Sequence, residues 1–142
     1  MNRAEQIIEN YLKGNGITKK KKIKEIISGF DLSMPVYLEA LYINDKIYQY
    51  RRNPSQFYNE NGIGNWFALK SATMDSLAIF SGGSGRSSTE FKVKYSINVL
   101  AGTAKKLDRN WGWAGGGTGG ATQYFIPNKM FYALEVLGTH MR

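Results

Sequence analysis

The side chains that usually carry acid–base or metal chemistry are scarce in this sequence. It contains one histidine, His140, no cysteine and 11 acidic residues, which are scattered rather than clustered. Paired-histidine ribonuclease chemistry, cysteine nucleophiles, disulfides and thiolate zinc sites are therefore excluded. No acidic cluster suggests catalytic magnesium, and no glycine loop is followed by Gly-Lys-Ser/Thr, so we expect no metal site and no P-loop. A site that combines His140 with a Glu or Lys stays open.

The first group of candidate binding residues is the segment IYQYRR at 47–52, which reads as a strand. Side chains alternate between the two faces of a strand. One set here is Ile47, Gln49 and Arg51, and the other is Tyr48, Tyr50 and Arg52. A guanidinium on such a strand could bind a diphosphate through paired hydrogen bonds, and the structural alternative is an edge-strand arginine in solvent.

The second group is the segment GNWFALKS at 64–71. Trp66 and Phe67 could stack on a flat ring, although either could equally be a core aromatic residue. The Ser71 hydroxyl could bond a ribose or an amide. This segment therefore predicts a surface for a nucleotide ring, with core packing as the alternative.

The third group is the segment GGGTGGATQYFIP at 115–127, where a dense glycine run meets a strand-like stretch. Glycines such as Gly119 and Gly120 would let backbone N–H groups approach phosphate or sugar. Thr122 and Gln123 follow directly, and we expect the Gln123 amide to project into a site. The alternative is a long hairpin loop followed by a strand with a surface glutamine.

The remaining polar residues favour a reaction that needs positioning more than proton transfer. Cleavage of the nicotinamide–ribose bond of NAD fits, because nicotinamide leaves as a neutral ring and the transition state resembles an oxocarbenium ion. The protein must fix the ribose and orient the departing ring, which positioning and electrostatics can largely achieve. A side-chain amide that bonds a ribose hydroxyl suffices in principle.

The elements that must position these residues form an α+β pattern. Helical spacing predicts a helix over 3–13, ended by Gly14-Asn15-Gly16, and a second helix with Ile23, Ile26, Ile27 and Phe30 on one side. Alternation predicts strands after Pro35, with a hairpin around Asn44-Asp45 and one strict strand from Phe91 to Val99. A last strand pair is expected around Pro127-Asn128. The fold class is two helices followed by a mostly antiparallel sheet.

Composition places this chain among single-domain globular proteins with anionic partners. Its 142 residues include 42% hydrophobic residues, and the net charge is +8. No apolar run is long enough for a membrane span, and the N-terminus lacks the apolar core of a secretory signal. The chain therefore reads as an excised C-terminal piece of something longer or as a trimmed start. The charge favours nucleotides, nucleic acid or an acidic inhibitor, or serves solubility alone.

The order of these segments resembles the C-terminal toxin domains of bacterial polymorphic and contact-dependent inhibition systems. A tyrosine-rich strand with Arg, then Gly-x-aromatic-aromatic, then INVLAGTAKK, then Gly-Gly-x-x-Gln-Tyr is similar to polymorphic toxin type 46 and to the tuberculosis necrotizing toxin group of NAD glycohydrolases. The match covers roughly 34–127, and GGATQYFIP is its most specific part. It implies a helical lead-in at 1–32, a catalytic toxin domain at 33–142, and an ADP-ribosyltransferase-like split sheet.

The resemblance also implies residue roles. Arg51, or its neighbour Arg52, matches the phosphate-binding arginine, and Gln123 takes the place of the transferase glutamate. Trp66 and Phe67 lie where an aromatic-rich strand lines the cleft. The glycine loop is longer than usual, and NWGWAGG replaces a more proline-rich lead, so the product is left open among ADP-ribose, a cyclised form and a modified protein.

Partners and alternatives follow from this reading. NAD or NADP is expected as a substrate, with no true cofactor, and an acidic immunity protein as the producer's partner. Such a domain would be delivered from its producer as part of a larger protein and would act in the target-cell cytoplasm. A toxin ribonuclease acting on tRNA or rRNA is the alternative, supported by the charge and the lysines at 19–24. A binding module without catalysis is the third hypothesis.

Overall fold

The computed structural model describes residues 2–51, 64–69, 87–105 and 119–141. It confirms the α+β class, with two N-terminal helices followed by an antiparallel sheet. The helices are α1 (Arg3–Gly14) and α2 (Lys20–Ile27), and a 3-10 helix spans Asn128–Ala133. The strands are β1 (Tyr37–Leu41), β2 (Lys46–Arg51), β3 (Trp66–Ala68), β4 (Ser87–Val93), β5 (Ile97–Thr103), β6 (Thr122–Phe125) and β7 (Leu134–Met141).

Local sequence explains both helix boundaries of α1. The Asn2 side chain accepts a hydrogen bond from the Glu5 backbone N–H at 2.8 Å, which satisfies one of the free N–H groups of the first turn. At the other end, Asn15 caps the helix and Gly16 adopts a φ of 83°, a left-handed conformation that suits glycine. The stop predicted at 14–16 is therefore confirmed. In α2, Ile23 and Ile26 are buried, whereas Phe30 lies beyond the end of the helix.

The strand order is β1-β5-β6-β3-β2-β4-β7, and every neighbouring pair is antiparallel. Within the described ranges, β2 and β3 share a single register pair, Tyr48 with Ala68. The sheet thus has a four-stranded half, β1-β5-β6-β3, and a three-stranded half, β2-β4-β7, which meet at that pair.

Both faces of the sheet are covered by core. On one face, α1 and α2 pack over Leu100 and Phe125, so residues of the helical lead-in share a hydrophobic cluster with the sheet. On the other face, Phe67 and Phe91 lie in a second cluster together with residues of the 3-10 helix. Burial of this apolar area is the main stabilising contribution to the layered fold.

The hairpin predicted around Asn44-Asp45 is wrong, although the turn itself exists. Asn44 has a φ of 78°, as expected of a turn residue, but β1 pairs with β5 while β2 pairs with β3 and β4. The two strands predicted around Pro127-Asn128 are present as β6 and β7; they flank the 3-10 helix and lie in different halves of the sheet. Each of these turns carries the chain from one half to the other, and turn chemistry alone does not encode that destination.

The single strand predicted from Phe91 to Val99 is also wrong. It is two strands, β4 and β5, joined by a turn at 94–96 where Tyr95 is exposed. The alternation continues across the turn because Phe91, Val93, Ile97 and Val99 all enter the same cluster.

Candidate active site

The three predicted segments lie on three neighbouring strands. In the order β6-β3-β2, Gln123 is in register with Ala68, and Ala68 is in register with Tyr48. Gln123 is also in register with Gly102 of β5. Residues in register across neighbouring strands share one face, so these side chains form a row with Gln123 between two small residues. We call this row the Gln123 row: Tyr48, Ala68, Gln123 and Gly102.

Gln123 is buried, and its amide is held by the helical lead-in. Its Nε2 donates to the carbonyl oxygen of Gly29 at 2.6 Å, across 94 residues of sequence. Among the described residues, none donates a hydrogen bond to its Oε1. The amide therefore has one fixed end and one acceptor atom with spare capacity.

Trp66 packs among aromatic rings on the same face as the Gln123 row. Its ring centroid lies 5.2 Å from Phe30 and 5.3 Å from Phe125, in tilted and edge-on arrangements. A β-carbon placed on Gly29 would lie 3.0 Å from two ring carbons of Trp66. Trp66 remains half-buried, and it supports the Gly29 backbone that holds Gln123.

Phe67 lies on the opposite face of β3. It is buried, and its ring meets Phe91 at 5.3 Å and Phe131 at 6.3 Å, both edge-on. These contacts are those of a core aromatic residue. The structure thus separates Trp66 and Phe67, which the sequence analysis grouped.

Gln49 is a second buried glutamine, and it is bonded at both ends of its amide. Its Nε2 donates to the carbonyl oxygens of Gly64 at 2.9 Å and Trp66 at 3.0 Å, and its Oε1 accepts from the Gly64 N–H at 3.3 Å. These bonds join β2 to the start of β3 beside the single register pair. Gln49 therefore ties the two halves of the sheet together.

Arg51 is the last residue of β2, three positions beyond Tyr48. From Gln123 its backbone lies two strand spacings across and three residues along, about 10 Å in each direction. Three positions is an odd step along a strand, so Arg51 falls in the alternation with Gln49, on the face opposite to the Gln123 row. A diphosphate would have to reach it around the end of β2. Tyr50 lies on the same strand, with its backbone in register with Ser88. Arg52 and Ser71 lie outside the described residues.

The two glycines precede β6 at its other end. Gly119 and Gly120 have φ values of 76° and 99°, and the Gly120 N–H donates to the Ala104 carbonyl at 3.0 Å. Since β2 and β6 run parallel, these glycines lie level with the start of β2, whereas Arg51 ends it. Thr122 pairs with Thr103 between the glycines and Gln123.

The sequence did not indicate the groups that contact Gln123 from distant parts of the chain. Gly29 and Phe30 follow α2, and no local pattern links them to β6. Tyr124, next to Gln123, is buried on the opposite face of β6, and burial raises the pKa of its phenol, with Glu39 adding to the shift. Ala68 and Gly102 are the small residues in register with Gln123 on either side, and they can be identified as its neighbours only once the strand order is known.

Comparison with solved structures shows that the fold is shared. The chain is similar to Tse6, solved in complex with Tsi6, with 19% identity, a TM-score of 0.74, and coverage of 97% of this chain and 99% of that one. It is also similar to Rhs1-CT, solved in complex with its cognate immunity protein RhsI1, with 18% identity and a TM-score of 0.51, over 75% of this chain and 80% of that one. No protein-family model and no curated protein sequence matches the chain.

Proposed function

We propose that this chain is a toxin domain of a bacterial competition system that cleaves the nicotinamide–ribose bond of NAD or NADP. The observation that carries the proposal is the Gln123 row, in which segments far apart in sequence come together on strands β6, β3 and β2. The ADP-ribosyltransferase-like split sheet belongs to the same proposal, and the single register pair between β2 and β3 supports it.

Gln123 has the acceptor that the reaction requires. Its Oε1 could accept a hydrogen bond from a hydroxyl of the nicotinamide ribose while its Nε2 stays on Gly29. Such a bond fixes the sugar and strengthens as positive charge develops on the ribose ring, because the hydroxyl then becomes a better donor. Nicotinamide departs as a neutral ring, so no strong general acid is needed. NAD or NADP is the substrate, and no cofactor takes part.

The polar groups at the two ends of the strands would hold the rest of the dinucleotide. Gly119 and Gly120 present backbone close to the start of β6, and Arg51 ends β2. Phosphate contacts act similarly in the ground and transition states, so we expect Arg51→Ala to raise KM more than it lowers kcat.

The fold likeness supports the assignment to a toxin with an immunity partner. One of the similar chains is bound to its cognate immunity protein. A net charge of +8 favours an acidic partner for this chain. The described residues contain no helix that is both long and apolar enough to cross a membrane. We propose that the domain is delivered as part of a larger protein and acts in the target-cell cytoplasm.

The experiment that tests this function is nicotinamide release from NAD and NADP by the purified chain. Wild type should release nicotinamide, and Gln123→Ala should lose at least about a hundredfold in kcat/KM, as for removal of one positioned hydrogen bond. Gln6→Ala is the matched control, because Gln6 is an exposed glutamine of α1 and not a member of the Gln123 row. No release by wild type, or full activity in Gln123→Ala, would contradict the proposal.

A ribonuclease toxin is the second candidate, favoured by one surface. The lysines of α2 and its N-terminal flank are exposed and have no carboxylate partner among the described residues: Lys19, Lys20, Lys21, Lys22 and Lys24. Such a surface can contact phosphates, but no aromatic residue is interleaved for base stacking. Fragmentation of added tRNA or rRNA without nicotinamide release would favour this function.

A further inference from the structure

We infer that Gly29 is a positioning residue of the site: its carbonyl oxygen fixes the amide of Gln123 so that Oε1 is left to face the substrate. The inference rests on the proposed function for the identity of that substrate. It makes the helical lead-in a working part of the site, and it explains why an amide occupies position 123.

The Gly29 carbonyl is itself held in place from several sides. It accepts from the Lys105 N–H at 3.2 Å as well as from Gln123 at 2.6 Å, so both of its lone pairs have donors. The next residue, Phe30, forms a bridge with Ala104, and the Asp31 N–H donates to the Thr103 carbonyl at 2.9 Å. The segment 29–31 is therefore fastened along the end of β5 and cannot easily move away from β6.

Packing of Phe30 determines how closely the segment 29–31 approaches the sheet. A β-carbon on Gly102 would come within 2.6 Å of the Phe30 ring, so the ring lies directly on the bare backbone of the Gln123 row. Phe30 is fully buried and also contacts Trp66, which leaves it little room to shift. Gly102 thus allows Phe30, and with it the Gly29 carbonyl, to approach Gln123.

This geometry accepts a donor at position 123 and rejects an anion. An ionised carboxylate in place of the amide would put one of its oxygens against the Gly29 oxygen, and two acceptors at that distance repel. A protonated carboxyl could donate to Gly29 and keep its other oxygen free. Glutamine meets both requirements at every pH, whereas glutamate meets them only when protonated.

The test is Gln123→Glu, measured between pH 4.5 and 8 by nicotinamide release and by thermal unfolding at each pH. At pH 7.5 we expect at least a hundredfold loss of kcat and a lowered Tm. Both deficits should shrink as the pH falls, because the folded-state pKa of the new carboxyl is raised above the unfolded value of about 4.3. The loss of stability in Gln123→Glu is therefore present at neutral pH and disappears as the pH falls toward the unfolded-state pKa of about 4.3.

The charged groups around position 123 do not supply this pH dependence. On the lead-in, Asp31 accepts hydrogen bonds from the Ser33 hydroxyl and N–H, which lower the pKa of its carboxyl, so it stays ionised across the range. Lys105 lies two residues beyond β5, and Tyr48 is the member of the row on β2. Asp31, Lys105 and Tyr48 are all present in the wild type. Any pH dependence that they contribute is therefore subtracted when the variant is compared with the wild type.

Two controls keep the result interpretable. Gln123→Met has a similar length but cannot donate, so its deficits in kcat and Tm should not change with pH. Gln6→Glu places the same new carboxyl on an exposed helix face and should follow wild type. Full activity of Gln123→Glu at pH 7.5, or a Tm deficit that does not narrow at acid pH, would overturn the inference.

A second variant tests Gly29 without touching Gln123. Gly102→Ala should push Phe30 and the segment 29–31 outward, so kcat should fall at least tenfold while KM changes by less than about threefold. An unchanged kcat in a folded Gly102→Ala protein would overturn the positioning role. If wild type releases no nicotinamide but the pH-dependent Tm deficit of Gln123→Glu is present, the proposed function fails and the Gly29 contact stands.

Discussion

Gln49 and Gln123 are two buried glutamines with exposures of 6% and 7%, and their amides are used differently. Gln49 donates two hydrogen bonds and accepts a third, all with the backbone of Gly64 and Trp66. Gln123 donates one hydrogen bond, to Gly29, and none of the described residues donates to its Oε1. The two side chains are therefore equally buried, but they make different numbers of hydrogen bonds.

This difference separates a structural amide from a candidate functional one. A buried polar group is stabilising when its hydrogen-bond capacity is filled, and it is expensive when part of that capacity is left open. Gln49 fills its capacity by tying the two halves of the sheet. Within the part of the chain that the structure describes, no residue donates to the Oε1 of Gln123, and a ligand-binding amide requires such an available acceptor.

Removing the packing over Gln123 should produce the largest change in stability. Phe30→Ala deletes a fully buried ring that contacts Trp66 and lies on Gly102, and we expect a loss of about 4 kcal/mol in the free energy of unfolding. Urea unfolding followed by tryptophan fluorescence measures it. A loss below about 1 kcal/mol would show that the lead-in contributes little to this part of the fold.

Gln49→Ala should come next, with a loss of about 2 kcal/mol, because it removes three part-buried hydrogen bonds between β2 and the start of β3. Urea unfolding of the variant, compared with the exposed-site variant Gln6→Ala, gives the value. Nearly wild-type stability would mean that Gln49 does not hold the halves together.

Gln123→Ala should cost only about 1 kcal/mol, because Gly29 keeps the Lys105 N–H as a donor. Its loss of NAD cleavage should nevertheless be at least about a hundredfold. The activity loss and the stability loss should be measured on the same preparation of each variant. The ratio of the two losses should be much larger for Gln123→Ala than for Gln49→Ala. A stability loss in Gln123→Ala as large as that in Gln49→Ala would make both amides structural.

The last effect arises only at high pH and concerns another attachment of the lead-in. The Tyr11 hydroxyl donates to the Asn98 carbonyl at 2.8 Å, and burial raises the pKa of its phenol from 10.0 to about 12. Because the unfolded chain ionises first, the stability from this group is complete below pH 10 and is lost as the pH rises toward 12. Unfolding titrations across that window should show a shallower decline in Tyr11→Phe than in wild type. Identical slopes would contradict this origin.

The sequence located most of the helices and strands, but not all of their boundaries and not their pairing. Helical periodicity and the turn residues at 14–16 located α1, and alternation located the strands. Strand partners depend on which half of the sheet each turn enters, and Asn44 has the same left-handed backbone whether or not a hairpin follows. The alternation from Phe91 to Val99 persisted through a turn because both strands enter one core.

The sequence singled out candidate residues for the site, but it did not indicate their contacts. Gln123 was singled out by its place after a glycine run, and Trp66 by its place in an aromatic segment. The Gly29 carbonyl could not be found, because a backbone acceptor carries no sequence signal and its partner is 94 residues away. Gln49 gave no sign of its structural role, since its three bonds depend on the approach of β3 to β2.

The most direct measurement is the NMR signal of the two side-chain amides during titration with carba-NAD, an analogue that resists cleavage. Assignment by Gln49→Asn and Gln123→Asn substitutions identifies each NH2 pair in the 15N-labelled chain. The account predicts that the Gln123 signals move with saturable binding while those of Gln49 stay within a fraction of that change. Saturable binding that leaves the Gln123 signals unmoved would contradict it.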